Sequence, residues 1–119
     1  LRLSAGIDGV SPCIDFGHLH ARSGGRVNTR AEFEAVLDSV QQFLGEGALQ
    51  DMHMHVQGIA YTSAGEQRHL DLSEADFRYK ELLQVLADWS VGGTVICESP
   101  NLEADALMLR HTYNSLCST

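Results

Sequence analysis

The most regular hydrophobic pattern runs over residues 31–44, AEFEAVLDSVQQFL, where Phe33, Val36, Leu37, Val40 and Leu44 fall at offsets 0, 3, 4, 7 and 11. That spacing is one face of a helix. Thr29 with Glu32 three positions on forms a capping box, each side chain satisfying the other's free backbone donor, and Gly45 suits a left-handed exit. A second helix repeats the pattern at Tyr79, Leu82, Leu83 and Leu86, with Ser73 and Asp76 placed to cap it. A third covers roughly 102–116, with Leu102, Ala106, Leu109, Tyr113 and Leu116 on one stripe after Pro100-Asn101. Three short runs between them read as strands: Pro12 to Phe16, Met52 to Val56 and Thr94 to Cys97. Alternating strands and helices predict an α/β fold of parallel units, because parallel neighbours need a long connection and a helix supplies it.

Three such units cannot close a barrel, which takes eight strands, and a small open parallel sheet leaves apolar surface uncovered. The expectation is therefore a single domain over 1–119 that is part of a longer chain, or one whose sheet is completed by a second copy or another chain.

Composition narrows the classes. The 119 residues are 44% hydrophobic and 20% charged, the balance of a packed globular domain rather than a disordered one. Net charge is −8, opposite in sign to the broad basic surface of a strong nucleic-acid binder, so phosphate contact has to be local or carried by metal. Charged residues, His or Gly interrupt each apolar run short of membrane-spanning length, so no membrane role is expected. Cys13, Cys97 and Cys117 are odd in number and far apart, which points away from a disulfide framework and towards a reducing, cytoplasmic setting. Cys13 and Cys97, inside strands, read as buried packing.

The chemistry gathers where parallel α/β folds place it, at the C-terminal ends of the strands. Strand one ends in Asp15 with His18 beyond it, the second carries His53 and His55 on one face, and the third ends at Glu98. Carboxylates and imidazoles converging on one rim are ligands for zinc, manganese or iron, since like charges gathered there need a compensating cation. Asp15 and Glu98 are candidates for catalysis as well as ligation. The long segment from Gly58 to Leu72 reads as a functional loop that folds Glu66 and His69 back over the rim. His20 is a candidate supporting residue, Arg22 and Arg26 are candidate phosphate contacts, and His111 faces outward.

CIDFGHLHAR, MHMHVQGIAY, GEQRHLDL and VICESP together resemble the endonuclease IV type of apurinic/apyrimidinic endonuclease, among the xylose-isomerase-like TIM barrels, from about Val10 to Leu116. The resemblance implies the last three βα units of a barrel and up to three zinc ions, or manganese, at its rim. Asp15 and His18 match the family's paired ligands, His53 its strand histidine, Glu98 its last glutamate, and His69 the histidine of its D-x-H motif. The position two before His69 is Gln67 rather than aspartate, and Glu66 is offset by one, which puts one metal position in question. The implied activity is DNA repair: hydrolysis of the phosphodiester 5′ to an abasic site in damaged DNA. The alternatives are a sugar isomerase or epimerase of the same superfold using one divalent ion, and an inactive fragment lacking the remaining ligands.

Overall fold

The computed structural model describes residues 1–118. Its helices are α1 (Arg2–Gly6), α2 (Phe16–Arg22), α3 (Arg30–Leu44), α4 (Tyr79–Asp88) and α5 (Glu103–Cys117). Its strands are β1 (Cys13–Asp15), β2 (Met52–Val56), β3 (Gly58–Thr62), β4 (Gly65–Leu70) and β5 (Gly93–Cys97). β1, β2 and β5 form one parallel sheet in that order, with β2 central. The chain is mixed α/β, as its hydrophobic rhythm predicts.

The segment read as a long loop is instead an antiparallel hairpin, β3 paired with β4. Its turn places Gly65 at φ +117°, a conformation that favours glycine. The hairpin lies across α2, and Gly58 at its base has no room for a side chain, because a Cβ there would meet the Ala75 Cβ and the Leu70 carbonyl.

Alternation along β2 sets the two faces of the sheet. Met52, Met54 and Val56 are buried against Phe16, Leu37, Val40, Leu82 and Leu86. His53 and His55 point the other way, beside Cys13, Asp15, Thr94 and Ile96 of the flanking strands. Among the described residues no helix covers that second face: Cys13, His53, Thr94 and Ile96 are all exposed. The reading of Cys13 as buried packing is thereby corrected, since its strand is covered on one side only; Cys97, on the helix-covered side, is half-buried.

Helix α3 starts as the capping box requires: the Thr29 hydroxyl accepts from the Glu32 amide. Glu32 in return reaches beyond Thr29 to accept from the amides of Val27 and Asn28 at 2.9 and 3.3 Å, and these bonds hold its carboxyl below the usual range. Arg30 spans to Asp88 at 2.7 Å and Trp89 donates to Glu34 at 2.8 Å, tying α3 to the end of α4. Helix α4 begins later than its expected caps. Ser73 falls in a short 3₁₀ turn (Leu72–Glu74) and Asp76 is drawn to His20 and Tyr61, so Arg78 becomes the cap position, without a side-chain bond.

The stripe read on the last helix also shifts. Leu102 and Ala106 are exposed, while Asp105 and Leu109 are buried. Asp105 accepts from the Leu72 amide at 2.8 Å and from the Asn101 side chain at 3.0 Å, pinning α5 to the end of the hairpin. Burial opposes its ionisation, but the hydrogen bonds from Asn101, Leu72 and Ser99 outweigh it and hold the carboxyl below its ordinary value. A depressed carboxyl stabilises the fold above the ordinary carboxylate range and loses that contribution as pH falls through its folded value. Asp105→Ala, which orphans the Leu72 amide, is expected to cost about 1–3 kcal/mol near neutral pH, with the gap to wild type closing in acid; urea unfolding of both proteins at neutral and acidic pH measures it.

Candidate metal centre

Asp15 is the last residue of β1 and the cap of α2, so one carboxylate joins strand to helix. Its Oδ1 accepts the His18 amide at 2.9 Å. Its Oδ2 lies 2.7 Å from His18 Nδ1 and 3.6 Å from His55 Nδ1. His55 Nδ1 is in turn 3.1 Å from Glu98 Oε1. Asp15, His55 and Glu98 each present one ligand atom within 4.8 Å of the others. They come from the end of β1, the body of β2 and the residue after β5, where the Glu98 amide continues the ladder to the Val56 carbonyl at 3.2 Å.

Gln57, which follows β2, closes the base of the cluster. It is fully buried, and its Nε2 is 3.0 Å from Asp15 Oδ1, 3.3 Å from Asp15 Oδ2 and 2.9 Å from His18 Nδ1. Protons are short here. If His18 Nδ1 donates to Asp15, it cannot accept from Gln57; if it accepts, two lone pairs face each other at 2.7 Å. Gln57 Oε1 is buried with no partner, and rotating the amide to satisfy it would turn that oxygen onto the Asp15 carboxylate. An excess of acceptors over protons is what a cation's donor set looks like. The approach is close enough to need glycine at position 17, where a Cβ would meet the Gln57 carbonyl oxygen.

Beside this cluster stands a second group. His18 Nε2 is 3.0 Å from Glu66 Oε2, and the rings of His18 and His69 meet edge to face at 5.6 Å between centroids. His69 Nδ1 is 3.0 Å from the Glu98 carbonyl oxygen. Glu66 and His69 are three apart on β4, an odd separation that would put them on opposite faces of a regular strand. A β-bulge brings them together: Ala60 pairs with Arg68 and Tyr61 with Glu66, leaving Gln67 as the extra, exposed residue.

The other candidates separate. His53 is exposed one rung earlier on β2, grouped with Cys13 and His55 rather than with Asp15 and Glu98. Arg22 reaches Glu66 at 3.6 Å, whereas Arg26 bonds back to the Ser23 carbonyl in its own loop. His20 is fully buried under the hairpin, its Nδ1 2.8 Å from the Arg26 carbonyl oxygen and its Nε2 2.8 Å from Asp76. Asp76 also accepts from Tyr61 at 2.6 Å; burial opposes its ionisation, but Tyr61 and His20 hold its carboxyl low. His20 thus clamps the hairpin that carries Glu66 and His69, a role made legible only by Tyr61, which sequence spacing does not connect to it. Gln57 was also missed, because a glutamine after a strand carries no chemical signature. His111 is exposed, as its helical phase indicates. The Cys13 thiol is pushed up, first by loss of surrounding solvent and then by the charges of Asp15 and Glu98.

Charge completes the picture. Asp15, Glu66 and Glu98 bring three carboxylates to the rim against one arginine, Arg22, so a divalent ion would balance what the protein leaves unpaired.

A protein of Methanocaldococcus jannaschii described as uncharacterized is 49% identical over 107 residues. The match covers 90% of this chain and 39% of that protein, so the chain spans well under half the length of its relative. No protein-family profile and no solved structure matches the chain.

Gly17→Ala forces α2 away from Gln57 and is expected to destabilise the fold by about 1–3 kcal/mol, with weakened metal uptake. Gln67→Ala, altering only the bulge's exposed side chain, should leave both unchanged. Thermal melts and zinc titration of the two variants test the pair.

Proposed function

We propose that this chain is the C-terminal part of a TIM barrel of the endonuclease IV type and contributes to a metal-dependent phosphodiester hydrolase acting at abasic sites in DNA. The observation that carries the reading is the meeting of Asp15, His55 and Glu98 from three parallel strands within 4.8 Å, at the end of the sheet where α/β enzymes hold their chemistry. Among the described residues one sheet face is uncovered and the edges, β1 and β5, are unpaired, which supports the barrel: parallel strands are stable when covered on both sides, and further strands would supply the cover.

Asp15, His55 and Glu98 would hold one ion, with His18, Glu66 and His69 beside it as ligands of a further one. Zinc or manganese suits this mixture of imidazole and carboxylate. A cation bound there polarises a phosphoryl oxygen and makes water a competent nucleophile at neutral pH. The chain's own residues do the positioning. Asp15 is fixed by the His18 amide and by Gln57, so its free lone pairs keep their direction. Arg22, exposed and 3.6 Å from Glu66, is placed to meet a phosphate arriving at the rim. The overall negative charge is compatible with DNA because the ions supply the local positive field.

A second reading, a single-ion sugar isomerase or epimerase, is favoured by one observation. Among the described residues, Asp15, His55 and Glu98 form the one close three-ligand group at this rim, whereas His18, Glu66 and His69 do not draw into another.

Elemental analysis of the purified chain is expected to find bound zinc or manganese, and less of it in Asp15→Ala and in Glu98→Ala; metal content indifferent to both substitutions would sink either reading. Within a complete barrel, His69→Ala should lower incision of an abasic-site duplex by about 100-fold or more, while an isomerase would keep its turnover. The 119-residue chain by itself should show little incision.

A further inference from the structure

The open face of the sheet carries a second donor set, which shares only His55 with the rim. Cys13 and His53 are register partners on β1 and β2. His55 lies two residues along on the same face, and the His53 and His55 rings meet at 5.4 Å between centroids. The Cys13 sulfur and one nitrogen of each ring fall within 4.8 Å of one another. Cys13 and His53 are both exposed, so neither is committed to packing.

We propose that Cys13, His53 and His55 form a soft-metal site, binding zinc through one thiolate and two imidazoles and bridging β1 to β2. This inference does not rest on the hydrolase reading: its thiolate and the exposed His53 stand outside the Asp15 and Glu98 cluster, with His55 the residue common to both. The chemistry differs as well. Two carboxylates with one imidazole accept manganese as well as zinc, whereas a thiolate with two imidazoles favours zinc or copper(I) over the harder ions.

Geometry favours it. Zinc bonds of about 2.3 Å to sulfur and 2.0 Å to nitrogen separate tetrahedral ligand atoms by roughly 3.5 Å, so side-chain rotations moving each donor by about an ångström close the site without moving the strands. Three protein ligands leave a fourth position open, and the exposure of Cys13 and His53 on this face gives solvent access to it. The metal would fasten the short edge strand β1, held in the sheet by three residue pairs, to the centre of the sheet.

Cobalt(II), which reports thiolate ligation through a sulfur-to-metal charge-transfer band in the near ultraviolet, is the probe. Titration of the intact chain is expected to raise this band to saturation. Cys13→Ser should abolish it, and His53→Ala should increase the cobalt needed for half-saturation by at least about 10-fold. Glu98→Gln should retain it, which separates this site from the rim. Zinc should slow alkylation of Cys13 while leaving the exposed Cys117 as reactive as before. Absence of the band, or its survival in Cys13→Ser with circular dichroism unchanged, overturns the proposal.

Discussion

The carboxylate of Asp15 is the constraint on which the rest of this structure depends. It ends β1, caps α2 through the His18 amide, receives Gln57 from beyond β2 and faces His55 within β2. A helix so short has little stability of its own and relies on such anchors. Phe16, the first residue of α2, is completely buried in the core, so the capping bond that starts the helix also fixes how the core meets the rim. Stability and site geometry therefore share one residue, and changes at Asp15 should not be read as purely chemical.

The hairpin is the second organising element, and it is held from beneath. His20 on α2 meets Asp76, which meets Tyr61 on β3, so three segments distant in sequence are locked by charge-assisted bonds under the strands that carry Glu66 and His69. Asp105 does the same at the far end of the hairpin, through the Leu72 amide. His20 and Asp105, buried with their polar partners in place, fix orientation as well as adding stability.

Much of this fold was legible in the sequence because its helices and parallel strands obey strong periodicities. Phe33, Leu37 and Val40 are buried as their spacing indicates, and Met52, Met54 and Val56 alternate with the histidines as strand geometry requires. The hairpin was obscured by its composition: Glu66, Gln67, Arg68 and His69 look like solvated loop, although Ile59, Tyr61 and Thr62 before a short turn were a usable strand signal. The Ser73 and Asp76 caps misled because a distant histidine outcompeted the local helix end for Asp76. At the rim, Asp15 and Glu98 could be placed from strand ends alone, but periodicity puts His53 and His55 on the same face and cannot say which one meets them. Only the register between strands answers that, and it sets His55 opposite Asp15.

The bulge at Gln67 carries a wider consequence. Motif comparisons count residues between functional groups, and by that count this chain lacks an acidic partner for His69. A pleated strand counts differently: what matters is which side of the ribbon a residue emerges from, and one surplus residue reverses that parity. Glu66 and His69 thus emerge on one side of the hairpin, a proximity that a fixed-spacing pattern would overlook. A residue gained or lost at such a bulge leaves the facing side chains on the same side of the ribbon, so likeness in a region of this kind is better judged by strand phase than by the letters of a motif.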